Sequence, residues 1–238
     1  MQKRVTNNLV PIISKAQFDE EANDFLIEYC PEAIKTPMAV PIMDIACDKM
    51  GLAVITDVRL SEDFSIFGQM CFTDGLATIY DKEEDEYRNI KVGRGTMFVD
   101  PDTYFLRNLG CVNNTIAHEC YHWFRHRNYH TLQNLLDGTQ AVACRCPSQN
   151  KDDHYTKTWT EEDWMEWQAN GIAPRILMPK QTVQTAAESF LNESQSNLFV
   201  KCGIMSTAQF VIEKLSDFYG VSKTSVGIRL AELNISTP

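Results

Sequence analysis

The stretch Ile116-Ala117-His118-Glu119-Cys120-Tyr121-His122 places two histidines four positions apart, with a glutamate directly after the first. Four residues return to nearly the same face of an α-helix, so both imidazoles can reach one tetrahedral metal ion. Zinc is the ion that this HExxH spacing indicates. We therefore expect a helix here, with His118 and His122 as zinc ligands.

Glu119 lies one position further round the same helix. Zinc lowers the pKa of a water molecule, and a neighbouring glutamate can accept the proton as that water attacks a carbonyl carbon. The motif therefore predicts Glu119 as the general base of a metal-dependent peptidase. The alternative is a pair of histidines on an ordinary surface helix, although average residue usage gives a chance match in a chain of this length a probability of only about 1%.

The longer metzincin motif is excluded, because it requires a glycine at position 125 and a histidine at position 128, where this chain has Arg125 and Asn128. His126 and His130 do continue the four-residue spacing. A helix drifts by about 40° at each such step, which turns these two side chains off the zinc-binding face. We expect them at the rim of a cleft or on the surface.

A third protein ligand should be a carboxylate on a later helix, and Glu166 is the best candidate. A helix is predicted over residues 161–178, and Asn170 follows Glu166 by four positions on the same face. There Asn170 can hydrogen-bond a zinc-bound histidine and support it. Three other carboxylates nearby could also be the third ligand, but the helix dipole favours acidic residues in a first turn and accounts for their presence. They are Glu161, Glu162 and Asp163.

At these residues the chain resembles the ImmA/IrrE family of metallopeptidases. The resemblance rests on residues 116–122, on Glu166-Trp167-Gln168-Ala169-Asn170, which matches the ExxAN element of that family, and on Ile176-Leu177-Met178-Pro179, which is similar to its LLMP ending. It covers about residues 90–235. Two motifs in the same order are far more specific than HExxH alone.

The resemblance implies His118, His122 and Glu166 as zinc ligands and Glu119 as general base, in agreement with the spacing. It also implies an intracellular enzyme, often encoded on mobile elements or phages, whose protein substrate is typically a helix-turn-helix transcriptional repressor. The chain departs from the family pattern in two places, one between the two motifs and one after them. The gap over residues 123–165 is long, and Pro174 stands where the family has an ordinary helix former.

The patterns predict an α+β fold, with a zincin-like domain over residues 1–200 and a helical, helix-turn-helix-like subdomain over residues 201–238 packed on it. Helices are expected over residues 14–29, 41–50, 161–178, 207–219 and 222–233, together with a zinc-motif helix capped by Asn113 or Asn114 and continuing to about Arg127.

Strands are expected over residues 52–58 and 96–99, with a hairpin over residues 65–80 around Thr73-Asp74-Gly75. The acidic residues 81–86 then form an exposed loop, and residues 128–160 are polar and irregular. Zincins bind an extended peptide against an edge strand. Residues 96–99 or the hairpin are the candidates for that edge.

Composition and net charge limit the classes of partner that the protein is expected to bind. The net charge of −10 repels phosphate backbones and anionic membranes, so nucleic acid is a poor default partner. There is no run of eighteen apolar residues and no apolar N-terminal segment followed by a cleavage site. We expect a cytoplasmic protein in which most of the eight cysteines are reduced.

Weaker candidates lie between the two motifs. Cys144 and Cys146, with His154 nearby, could bind a second metal or sense oxidation, although plain structural cysteines are the simpler explanation. A group that stabilises the oxyanion is expected opposite Glu119; candidates are His154, Tyr155, His130 and Tyr129. Aromatic residues could line a substrate pocket, although helical spacing favours a place in the core; they are Trp159, Trp164, Trp167 and Phe124.

The main rival is a transcriptional regulator with a structural or metal-sensing site, whose C-terminal helices bind DNA. From position 201 onward there are four basic and three acidic residues. This small excess of positive charge gives little attraction for the phosphates of DNA. Glu119 also argues against this rival, since a structural zinc site needs no general base. An adaptor with an intact but idle site is a third possibility.

Overall fold

The strands form two small sheets. A computed structural model describes residues 5–137, 142–147 and 159–236, with side chains for residues 5–136 and 159–236. The strands are β1 (Ala53–Ile55), β2 (Ile66–Cys71), β3 (Gly75–Asp81), β4 (Glu86–Val92), β5 (Thr96–Val99) and β6 (Val142–Pro147). A four-stranded sheet has the order β1-β5-β2-β6, and β3 pairs with β4 in a separate two-stranded sheet.

The larger sheet is mixed. Strand β1 runs parallel to β5, with Ala53 opposite Thr96. Strand β2 runs antiparallel to both of its neighbours: Gly68 lies opposite Val99 of β5, and Gln69 lies opposite Arg145 of β6. Strand β5 is therefore interior. This corrects the expectation that residues 96–99 supply an edge for a peptide, because β1 and β6 are the outer strands of this sheet.

Helices make up most of the remaining described chain. They are α1 (Phe18–Tyr29), α2 (Glu32–Lys35), α3 (Ile42–Asp44), α4 (Leu109–Arg125), α5 (Arg127–Asp137), α6 (Glu161–Leu177), α7 (Lys180–Ser194), α8 (Leu198–Lys201), α9 (Thr207–Tyr219) and α10 (Lys223–Glu232). Short 3₁₀ and π-helical turns cover Lys15–Gln17, Ile45–Lys49 and Thr103–Arg107. The predicted α+β class is confirmed. None of the described helices combines the length and apolar character needed to cross a bilayer.

The predicted hairpin over residues 65–80 is wrong. Strands β2 and β3 flank Thr73-Asp74-Gly75, but β2 pairs with β5 and β6, and β3 pairs with β4. The turn instead lies in the acidic segment, where Asp81 pairs with Glu86 and Asp85 adopts a positive φ of 56°. Aspartate tolerates this left-handed conformation, so the acidic run serves as the hairpin turn.

Helix boundaries follow the sequence closely, with informative exceptions. The cap of α4 is Asn108, five residues before Asn113, because the Asn108 side chain accepts a hydrogen bond from Cys111 N at 3.0 Å. Residues 128–160 are not uniformly irregular, since they contain most of α5 and all of β6. Helix α6 continues through Pro174 and ends at Leu177, so the proline does not interrupt it.

One hydrophobic core joins the two halves of the chain. Buried residues of α1, α4, α6 and α7 belong to the same cluster as Phe210, Leu215 and Tyr219 of α9 and Leu230 of α10. Arg229 of α10 is only 2% exposed; its Nε donates to the Met178 carbonyl at 3.1 Å, and its guanidinium pairs with Asp19. The C-terminal helices therefore pack on the body that contains the HExxH helix.

Gly171 controls how closely α6 approaches α1. A Cβ atom at this position would lie 2.0 Å from Cε2 of Phe18, a ring that is itself buried. Gly171→Ala should therefore lower the free energy of unfolding by about 1–3 kcal/mol, because overpacking outweighs the better helix propensity of alanine. Denaturant unfolding followed by circular dichroism measures this change.

Gly227 in α10 is the matched control, because a Cβ atom there meets nothing within 4 Å. Gly227→Ala should raise the free energy of unfolding by about 0.5–1 kcal/mol. Equal effects of the two alanine substitutions would show that the contact between Gly171 and Phe18 does not limit the packing.

Candidate metal centre

Three side chains from two helices converge on one point. His118 and His122 project from α4 and are fully buried, and Glu166 projects from α6 with its side chain 21% exposed. Glu166 Oε2 lies 3.3 Å from His118 Nε2, and Glu166 Oε1 lies 3.4 Å from His122 Nε2. The two Nε2 atoms are 2.9 Å apart. The structure thus brings together the three residues predicted as metal ligands.

Packing between α4 and α6 fixes this convergence. The two helices contact each other directly. Their buried apolar faces belong to one cluster, formed on α4 by Ile116, Ala117, Cys120 and Tyr121 and on α6 by Ala169, Ile172, Ala173 and Ile176. Cys120 lies in this core, as expected for a position between the two histidines. The positions of α4 and α6 that border this apolar face therefore direct the two histidines and Glu166 toward one another.

The competing carboxylates at the start of α6 are engaged elsewhere. Glu161 accepts hydrogen bonds from Thr6 Oγ1 at 3.1 Å and from Asn8 Nδ2 at 2.9 Å. Asp163 forms a capping box with Thr160, and Glu162 is exposed. Only Glu166 among these acids joins the histidines in the cluster that could hold a metal ion.

The polar atoms of this cluster fit a bound cation. Within the described chain, both carboxylate oxygens of Glu119 and of Glu166 are buried without a hydrogen-bond partner. Buried polar atoms are seldom left unpaired, so such a group calls for an ion or a water. Ligands at about 2.0–2.2 Å from a tetrahedral ion lie about 3.3–3.5 Å apart. Each oxygen of Glu166 lies at about this distance from one of the two Nε2 atoms, and the Nε2 atoms need to move apart by only a few tenths of an ångström.

Glu119 is fully buried beside strand β2. A Cβ atom at Gly68 of β2 would lie 2.9 Å from Glu119 Oε1 and 2.5 Å from Thr115 Cγ2, so glycine is what lets this strand pass so close to α4. Burial raises the pKa of Glu119 well above its usual range, and the charge of Glu166 raises it further. Glu119 therefore favours its neutral form when no cation is near, and it lies next to the cluster of His118, His122 and Glu166 and not within it.

His126 and His130 are not at the surface, which corrects the expectation for both. His126 is fully buried, and His130 is 6% exposed with its ring stacked on Phe72 at a centroid distance of 4.0 Å. Neighbouring elements cover both rings: Gln168 of α6 contacts His126, and Phe72 stacks on His130. The backbone of His126 stays in the helical region, and its N–H donates to His122 O at 2.7 Å, so helical drift alone does not decide exposure here.

His126 and Gln168 form a chain of hydrogen bonds that ends at His122, and the sequence motifs do not reveal it. His126 Nδ1 lies 2.9 Å from His122 Nδ1, and His126 Nε2 lies 3.0 Å from Gln168 Oε1. Burial lowers the pKa of His122 and lowers that of His126 still more strongly, so both rings are neutral at pH 7. The four-residue repeat of histidines was the available signal for His126.

Asn170 does not take the role predicted for it. His122 Nδ1 faces His126, and His118 Nδ1 has no hydrogen-bond partner among the described residues. Asn170 therefore hydrogen-bonds neither histidine. Gln168, two positions earlier on α6, instead contacts the histidine network through His126.

The weaker candidates from the sequence analysis lie in different parts of the chain. Trp159, Trp164 and Trp167 pack on one another, and Trp167 also lies 4.6 Å from the Phe18 ring centroid. Phe124 packs edge-on against Phe25 at 5.4 Å in the core. The backbone of Cys144 and Cys146 belongs to β6, while their side chains, His154 and Tyr155 lie outside the described residues.

Comparison of the chain with models of protein families, with curated proteins and with solved structures gives no match. The family resemblance therefore rests on the two motifs alone. The geometry of the metal centre stands independently of it.

The centre predicts the metal content of two variants of α6. Glu166→Ala removes a ligand and should weaken binding of Zn²⁺ or Co²⁺ by more than the roughly 10- to 100-fold typical of losing an outer partner. Elemental analysis and chelator competition measure this loss. Glu162→Ala is the matched control, because Glu162 is exposed one turn earlier on the same helix, and it should retain about one ion per chain. Full metal content in Glu166→Ala would show that Glu166 is not a ligand.

Proposed function

We propose that the protein is a zinc-dependent endopeptidase with a zincin-like active site. The observation that carries the proposal is Glu119, a buried carboxylate with neither oxygen hydrogen-bonded within the described chain, directly beside a His-His-Glu ligand set. A purely structural metal site gains nothing from such a residue, and burying an unpaired carboxylate is costly. Two histidine nitrogens and one carboxylate also leave a tetrahedral ion one open position, as in catalytic zinc sites.

Each residue has a defined task in this proposal. His118, His122 and Glu166 hold the ion. When bound, zinc supplies a Lewis acid that acidifies a water molecule and polarises the scissile carbonyl. Glu119 would accept a proton of the attacking water as the new C–O bond forms, and would then pass that proton to the amine nitrogen as the C–N bond breaks.

The substrate class rests on the resemblance to ImmA/IrrE peptidases, which suggests an intracellular enzyme that cleaves a helix-turn-helix repressor. The charge of the chain supports this choice of partner. A net charge of −10 attracts basic proteins electrostatically, and DNA-binding repressors are basic on the face that meets phosphate.

The rival function, direct DNA binding by the C-terminal helices, is less well supported. Lys214 pairs with Glu193, Lys223 pairs with Glu213, and Arg229 is buried against Asp19 and Glu232. These ion pairs occupy three of the four basic side chains from position 201 onward. A face whose cations are already paired gains little from releasing counterions of DNA.

Glu119→Gln tests the enzymatic role. The amide keeps the size of the side chain but cannot accept a proton, so cleavage should slow by about 10²- to 10⁴-fold while zinc content stays unchanged. The zinc-loaded wild type and variant are each added to a lysate that contains co-expressed helix-turn-helix repressors, and new N-termini are identified by mass spectrometry. The repressors should contribute most of the termini that depend on Glu119.

Two results would contradict this proposal in different ways. Identical N-termini from the wild type and Glu119→Gln would mean that Glu119 is not a general base. Tight, salt-dependent binding of duplex DNA, without any cleavage by the zinc-loaded wild type, would favour the regulator.

A further inference from the structure

We infer that His126 and Gln168 are positioning residues that fix the proton of His122 on Nδ1, so that its Nε2 is presented, unprotonated, to the metal ion. This inference deepens the proposed function and rests on its assignment of His122 as a ligand. It is carried by a chain of three hydrogen bonds that ends at a backbone carbonyl.

The Pro11 carbonyl sets the direction of the chain. Gln168 Nε2 donates to Pro11 O at 2.8 Å. A carbonyl oxygen can only accept, so the NH₂ end of the Gln168 amide must face Pro11 and the oxygen end must face the histidines. Gln168 is 1% exposed, which leaves bulk water little access to compete for either end.

Gln168 in turn decides which nitrogen of His126 carries the proton. Gln168 Oε1 accepts only, so His126 Nε2, 3.0 Å away, must be the N–H. A neutral imidazole has a single N–H, and His126 is fully buried, away from the water that would solvate a cationic ring. His126 Nδ1 is therefore left with a lone pair, as an acceptor.

That acceptor faces His122. The two Nδ1 atoms are 2.9 Å apart, so the bond requires a proton on Nδ1 of His122. Nε2 of His122 then keeps its lone pair on the side where Glu166 Oε1 lies 3.4 Å away. With the proton on Nε2 instead, His122 would direct an N–H at the metal position and could not bind the ion.

The two histidine ligands differ in this respect. His118 Nδ1 has no hydrogen-bond partner among the described residues, so no comparable chain holds its tautomer. His122 is the ligand whose ring is fixed from behind. An outer partner of this kind both orients an imidazole and raises its basicity toward the metal.

The N-terminal segment takes part through Pro11. Thr6 and Asn8 hydrogen-bond Glu161 at the start of α6, and Pro11 accepts from Gln168 two turns later. The segment is thereby fastened along α6 behind the ligands. This gives residues before the first helix a role in a metal site more than 100 positions away.

Zinc affinity tests the inference through two substitutions at His126. His126→Leu removes the acceptor and should weaken zinc binding by about 10- to 100-fold in competition with a chelator of known affinity. His126→Asn returns an acceptor oxygen close to the former Nδ1 position and should recover most of that loss. A purely structural role predicts the opposite order, because leucine suits a buried site better than an asparagine whose amide is only partly bonded.

Nitrogen NMR of wild-type protein labelled with ¹⁵N-histidine tests the proton positions directly, and it does not depend on any variant folding. In the zinc-free protein, His122 should carry its proton on Nδ1 and His126 on Nε2. A coupling across the N–H···N bond should join the two Nδ1 atoms, with and without zinc. A proton on Nε2 of zinc-free His122, or the absence of this coupling, overturns the inference.

The failures of the two proposals are distinguishable. If the wild type does not bind zinc, the proposed function fails, whatever tautomer His122 has. If zinc binds, Glu119→Gln abolishes cleavage, and His126→Leu keeps zinc affinity within about twofold of wild type, well short of the loss typical of an outer partner, then the peptidase stands and the positioning role of His126 is wrong.

Discussion

Two carboxylates and three imidazoles lie close together between α4 and α6, with Glu119, His118, His122 and His126 fully buried. Removing a carboxylate from water costs several kcal/mol unless an opposite charge or hydrogen bonds compensate it. Glu119 and Glu166 have no hydrogen-bond partners within the described chain. Without a cation, such a site relieves its charge by keeping a proton, as the raised pKa of Glu119 indicates. A divalent ion relieves both carboxylates at once, which couples metal binding to the stability of this interface.

The rest of the structure holds the two helices in a fixed relation. Helix α1 is tied to α4 by Arg125, which bonds Glu21 at 2.8 Å and Asp24 at 3.0 Å. Asp19, in the first turn of α1, pairs with the buried Arg229 of α10. Salt bridges between exposed side chains contribute little, but these arginines are mostly buried and make several bonds each. Ligand positions must hold to within about 0.5 Å for metal binding, and a rigid helix frame provides that.

How much the sequence predicts depends on whether a feature is local. The spacing of His118 and His122, and the choice of Glu166, follow from helical periodicity within single elements, and the structure brings these three side chains together. The ends of helices α1, α6, α9 and α10 can be predicted in the same way, from capping and turn residues.

Features that depend on distant parts of the chain could not be predicted. The partner of β2 was misassigned, because strand pairing is set by contacts across the sheet and not by the Gly-containing break after it. His126 was misplaced because its burial depends on Gln168, which lies 42 positions later on another helix. Gln168 could not be identified, since its role exists only through Pro11, more than 150 positions earlier.

The segment between the two motifs determines where an extended peptide could add to the sheet. Strand β2 passes close to Glu119, the proposed general base, at Gly68. Both of its sides are paired, with β5 on one and β6 on the other, and β6 also contacts α4 and α6. The other outer strand, β1, is separated from β2 by β5, so a peptide that adds to the sheet near Glu119 would extend it beyond β6 or take the place of β6 against β2. The first position lies about 5 Å further from Glu119 than the second, one strand spacing. Only the second position puts a peptide backbone directly beside the proposed general base, so the pairing of β6 with β2 would compete with that mode of binding.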